Sequence, residues 1–96
     1  MGDEPTVEFD WDESSLRHLA RHRITRREFE EAMTSDPVFV GFGDERGEDR
    51  WYVLVATNNL RVLYLAFTIR GERIRPVTGW DADEKLREAY FRQKSQ

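Results

Sequence analysis

Arginine on strand-like segments carries the most specific chemistry in this sequence. Arg73 and Arg75 flank Ile74, so in an extended chain both point to one side and Ile74 to the other. Arg61 opens the preceding run, Val62 to Ile69, and Tyr64 lies three residues further along it. Guanidinium suits phosphate because its planar fork donates two parallel hydrogen bonds. A sheet face bearing Arg with Tyr or His can cleave RNA without a metal. The 2′-hydroxyl attacks the adjacent phosphate, Arg stabilises charge on the phosphorane, and His or Tyr moves protons. His22 ends a helix-like segment beside Arg23, where it can face such an edge. Paired arginines on a strand also serve as plain salt-bridge partners, and the residues alone leave both roles open.

Other chemistries find less support. His18 and His22 stand at i and i+4, the spacing of two imidazoles sharing a zinc ion. Between them lie Leu19-Ala20-Arg21, with no glutamate base, and the neighbouring arginines repel a cation, so no metal is expected. Gly41 and Gly43 flank Phe42 but precede no helix, so there is no phosphate-cradling loop and no cofactor is expected. The serines, at 14, 15, 35 and 95, sit at helix starts, a turn and the tail, which offers no scaffold for a hydrolytic triad. Glu30-Glu31 reads as a solvated helix face. With no cysteine there is neither a disulfide framework nor a thiolate site.

The chain's 96 residues suit a single domain, 1–96, with a core over about 6–92. Hydrophobic residues make up 39% and charged residues 35%, too apolar for disorder and too charged for a membrane protein. No apolar run approaches the roughly 20 residues of a membrane span. Met1-Gly2-Asp3-Glu4 lacks the apolar segment of a secretory signal, so a soluble cytoplasmic protein is expected. The net charge of −4 argues against loose attraction to nucleic acid, yet the charge is segregated. Residues 1–13 hold six acids and no base, whereas residues 14–27 hold five arginines, two histidines and no acid. Asp44 to Asp49 forms a second acidic stretch, read as a solvated loop, and beyond it Arg61, Arg70, Arg73 and Arg75 face only Glu72. Of 15 basic residues 13 are Arg, which suggests an anion-binding face on an acidic protein.

The elements that must hold these side chains follow from local pattern. Thr6 to Trp11 alternates as a half-buried strand. Asp12 caps a helix to about Arg23 with Leu16, Leu19 and Ala20 inward, and Thr25…Glu28 is a capping box opening a second with Phe29, Ala32 and Met33 inward. Four strand-like runs follow: Val38–Phe42, Trp51–Thr57, Val62–Ile69 and Arg73–Thr78. Turns at Asn58-Asn59 and Arg70-Gly71 make the last three an antiparallel meander. Pro76 places the last strand at an edge or on a bulge. A closing helix opens around Asp81-Ala82-Asp83-Glu84, with Leu86, Ala89 and Tyr90 inward. The order β-α-α-β-β-β-β-α predicts an α+β domain, two N-terminal helices and one C-terminal helix packed on an antiparallel sheet.

Several of these segments resemble the BrnT family of toxins. They are Phe9-Asp10-Trp11-Asp12-Glu13, Leu19-Ala20-Arg21-His22-Arg23-Ile24-Thr25 with Glu28 and Glu31-Ala32, Glu48-Asp49-Arg50-Trp51, Leu65-Ala66-Phe67-Thr68 and Arg73-Ile74-Arg75-Pro76-Val77-Thr78. Each is short, but together, in order, they run from Phe9 to Tyr90. The resemblance implies a RelE-like fold and a ribonuclease toxin of a type II toxin–antitoxin pair, with RNA as target and a cognate antitoxin as partner. Carried over by motif, His22, Arg50, Arg73 and Arg75 are its catalytic positions. Arg61 and Tyr64 join them as RNA-binding residues from the strand argument. One departure stands out: where the family continues with Ala-Arg and a basic helix, this chain has Gly79-Trp80 and an acidic one. Trp80 then either stacks an RNA base or covers the helix–sheet junction. An endoribonuclease that inhibits translation and a catalytically weak relative that binds protein or RNA are both consistent with this departure. The sequence sets no oligomeric state.

Overall fold

The computed structural model describes residues 7–45, 47–57 and 61–95. The elements are β1 (Glu8–Phe9), α1 (Glu13–Arg21), α2 (Arg26–Met33), β2 (Val38–Glu45), β3 (Glu48–Ala56), β4 (Val62–Arg70), β5 (Arg73–Asp81) and α3 (Glu84–Lys94). The predicted α+β order holds. The five strands form one sheet in the order β1-β5-β4-β3-β2. β2 to β5 are antiparallel, but the sheet is mixed, because β1 pairs in parallel with β5. A parallel neighbour needs a long crossover, and here residues 10–72 separate the two.

Caps define the helices. The Asp12 carboxylate accepts from the Ser15 N–H at 2.8 Å and Ser15 Oγ accepts in return from the Asp12 N–H, a closed capping box. Thr25 caps α2 by accepting from the Glu28 N–H, but the Glu28 carboxylate turns to Arg61 instead of closing the capping box the sequence suggests. Asp83, inside the Asp81–Glu84 cluster, caps α3, and Asp81 ends β5. Ala20 and Ala89, read as inward, are exposed.

The sheet is covered on both faces. Leu19, Ile24, Phe29 and Ala32 of the α1–α2 layer pack on Val53, Val55, Leu63, Leu65 and Phe67. On the opposite face Tyr90 and Leu86 of α3 pack on Leu54 and Val62. Gly79 lets α1 approach: a Cβ there would stand 2.6 Å from Leu65 Cδ2 and 3.1 Å from Leu19 Cδ2. The 44–49 stretch read as a loop is mostly ladder, with Asp44 opposite Asp49 and Glu45 opposite Glu48, turning through Gly47 at φ +79°. The ladder there is made by backbone groups, so acidic residues are tolerated in it, and Arg70 meets Glu48 at 3.0 Å. Gly71, at φ +62°, makes the β4–β5 turn, while Asn58-Asn59 lies outside the described residues.

Pro76 sits in an interior strand, where a bulge accommodates it. Phe67 pairs with Pro76 but Ala66 pairs with Thr78, so Val77 is the extra residue. The insertion reverses the alternation of β5. Arg73 and Arg75 before it, and Thr78 and Trp80 after it, therefore share the α3-side face of the sheet.

Candidate active site

α3 packs against Leu54 and Val62, near one end of β3 and β4. Towards the other end the alternation of β3 sets Arg50 and Tyr52 on this face, that of β4 sets Tyr64, Ala66, Thr68 and Arg70, and β5 adds Arg75 and Trp80. Beside β5, where β1 has ended, α1 forms a rim. Ser14, His18 and His22 recur there at i, i+4 and i+8.

Arg50 and Arg75 meet in a cleft of about 270 Å³, together with Arg70, Glu48, Asp12, Ser14, Ser15 and His18. Thr68, paired with Arg75, lies between them in the sheet and is 1% exposed. Its Oγ1 makes no hydrogen bond among the described residues. Arg75 does not stand bare. Its Nη2 donates to Asp12 Oδ2 at 2.6 Å, and its Nη1 meets Asp10 Oδ2 at 3.4 Å. Hydrogen bonding by the Ser15 N–H chiefly, with Arg75 adding to it against partial desolvation, holds the Asp12 carboxyl below its ordinary range. Arg73, further along β5, is exposed and pairs with Glu8 at 3.3 Å outside the cleft.

The other anticipated residues gather some distance along the face. Tyr64 stacks on Trp80 with centroids 5.1 Å apart and 23° between the planes. Tyr52 lies 5.7 Å from Tyr64, and His22 6.3 Å from Trp80. Tyr52 follows Arg50 on its strand face, so a row of rings leads from the cleft to the end of α1. From the Thr68–Arg75 pair to the Tyr64–Trp80 pair is four residues of β4, about 13 Å. Burial, with Tyr52 adding to it, pushes the Tyr64 phenol above its usual range.

Arg61 holds this end together. Nε and Nη2 donate to Asp81, Nη1 to Glu28 and the Arg23 carbonyl, and Nη2 also to the His22 carbonyl, at 2.8 to 3.2 Å. These five bonds match the five N–H groups of a guanidinium. Above all the Asp81 contact raises its already high pKa. A second hollow, of about 310 Å³, lies between Arg61 and α2. Glu28 and Glu31 share it with Arg23, Arg27 and Arg61, so its charges nearly balance.

Of the sequence-derived positions, then, Arg50 and Arg75 share the cleft. His22, Tyr64 and Trp80 share the ring row, Arg61 anchors it, and Arg73 stands apart. The signal for His18 in the sequence is its four-residue spacing from His22, which puts both on one rim. Among the described residues no group of three His, Asp or Glu side chains converges as a metal site, and no helix is long and apolar enough to cross a membrane. No curated protein matches the chain. Residues 11–85, however, match the family model described as ribonuclease toxin, BrnT, of type II toxin–antitoxin system.

Proposed function

The chain belongs to the BrnT family of type II toxin–antitoxin ribonuclease toxins, and from that premise we propose that it is a metal-independent endoribonuclease acting in the cytoplasm. It cleaves RNA, so inhibiting translation, until a cognate antitoxin covers the open face. The observation that carries this reading is the convergence of Arg50 and Arg75, from β3 and β5, on one cleft beside a row of rings.

Two guanidiniums fixed on a sheet are preorganised for the charge that grows on phosphorus, the role a divalent ion plays in other nucleases. Arg73 extends the positive edge where the strand leaves the cleft. Tyr64 and Trp80 supply faces on which unpaired bases stack, which is how single strands are gripped without sequence readout. His22 closes that row. Arg61 contributes to RNA binding indirectly, by fastening the His22 carbonyl and the end of β5. The antitoxin would present acidic groups to the arginine face.

The test is RNA cleavage by purified, antitoxin-free protein in EDTA, with Arg75→Ala as control. Cleavage that persists under chelation and disappears in the variant is the expected result. One observation favours a second reading: Arg61, Arg70, Arg73 and Arg75 each already pair with a carboxylate of the same chain. On that reading the protein keeps the fold and binds RNA or protein with little cleavage. Intact RNA from the folded protein, with and without ribosomes, would decide for it.

A further inference from the structure

We infer that His18 is the proton-transfer residue of the arginine cleft. This rests on the cleft being the ribonuclease site. His18 is the imidazole that lines the cleft with Arg50 and Arg75. The charged groups facing it there are Asp12 from the cap of its own helix, Glu48 and Arg50 from β3, Arg70 from β4 and Arg75 from β5. Guanidinium stays protonated and cannot accept a proton. Both carboxylates are engaged, Asp12 by Arg75 at 2.6 Å and Glu48 by Arg70 at 3.0 Å. Imidazole, whose ordinary protonation change falls between pH 5 and 8, is left as the natural acceptor. His22 sits one turn away with its ring at Trp80, at the far end of the row.

The placement is built into the fold. The Asp12 carboxylate caps α1 and binds Arg75, so one group fixes both the start of the helix and the guanidinium. His18 then stands on the face that Ser14 opens, one turn above it. In the reaction the 2′-oxygen attacks phosphorus as its proton passes to the His18 imidazole. The O2′–P bond forms and the P–O5′ bond breaks. The departing 5′-oxygen takes a proton from water, and the imidazolium returns its proton to the hydroxide left behind. The products are a 2′,3′-cyclic phosphate and a 5′-hydroxyl.

The experiment compares the protein with His18→Ala and His18→Gln on a short RNA, with and without added imidazole. His18 is exposed, so both variants should keep the parent's urea midpoint. The expected result is a fall in kcat of about 10²- to 10⁴-fold with KM within threefold. Imidazole should restore His18→Ala, and the fragments should end in 2′,3′-cyclic phosphate. Full activity in His18→Ala, a loss confined to KM, or a loss that imidazole does not restore would overturn the assignment while leaving the nuclease reading intact. An inactive parent protein would instead overturn that reading, and the assignment with it. A second readout is independent of turnover. The His18 ring resonance should move on adding an uncleavable 2′-deoxy dinucleotide, and a ring that does not respond refutes the role.

Discussion

Neutralising Asp12 should loosen the protein and free Arg75 at once, and the two effects can be separated. Arg75 and Asp12 are bound at 2.6 Å with 28% and 38% of their side chains exposed, and Asp10 adds a contact at 3.4 Å. Unit charges about 4 Å apart attract by about 4 kcal/mol at an effective dielectric of 20. Solvent access at this rim and side-chain entropy reduce that to about 1 kcal/mol for a partly exposed pair. RNA phosphate must displace these carboxylates, so removing one should tighten binding about fivefold, taking tenfold as about 1.4 kcal/mol. Asp12→Ser keeps a capping oxygen and drops the charge, whereas Asp12→Ala loses both, with an additional stability cost of about 1 kcal/mol. Fluorescence anisotropy with a 2′-O-methyl oligonucleotide measures affinity without cleavage, and urea unfolding measures stability. Tighter binding in Asp12→Ser and Asp10→Asn, vanishing in the presence of Arg75→Ala, is the expected pattern. Unchanged affinity in both would refute the idea that Arg75 meets phosphate.

The same carboxylate sets an acid limit. The folded pKa of Asp12 is lowered, so its contribution is present above the unfolded carboxylate value and is lost as pH falls through the folded one. Asp12→Ser should therefore lose less stability than the parent over that acidic window, as read by urea midpoints at a series of pH values.

Two further substitutions test the frame around the site. Gly79→Ala places a methyl group 2.6 Å from Leu65 Cδ2 of β4 and 3.1 Å from Leu19 Cδ2 of α1 and should cost about 1–3 kcal/mol in urea unfolding; an unchanged midpoint would refute this close packing around Gly79. Trp80→Ala should weaken binding of the uncleavable oligonucleotide by about 1–3 kcal/mol and leave an abasic strand unaffected; equal losses on both strands would place Trp80 in packing rather than stacking.

Much of this protein is legible locally. Asp12 and Thr25 announce helix starts because capping is a contact over three residues. Phe29 and Ala32, or Val53 and Val55, announce their faces because helices and strands repeat at fixed periods. The acidic 44–49 stretch misleads for the complementary reason: side-chain polarity predicts solvent, while the ladder there is made by backbone alone. Pro76 announces an irregularity but not its consequence. A bulge at Val77 turns Trp80 to the side where Arg75 points, and no periodicity rule continues across an inserted residue.

The sequence by itself determined the order of elements, their caps, most of the inward residues and the richness in strand-borne arginine, all properties of near neighbours. Only the tertiary structure decided which arginines meet. Asp12 and Asp10 reach Arg75 across 63 and 65 residues, because β1 joins β5 in parallel and brings the start of α1 with it. It also decided that His18 stands at the cleft while His22 stands at the ring row, although both share one helix face. Such contacts depend on strand order and register, and these are settled by burial over the whole sheet rather than by the residues flanking any one position.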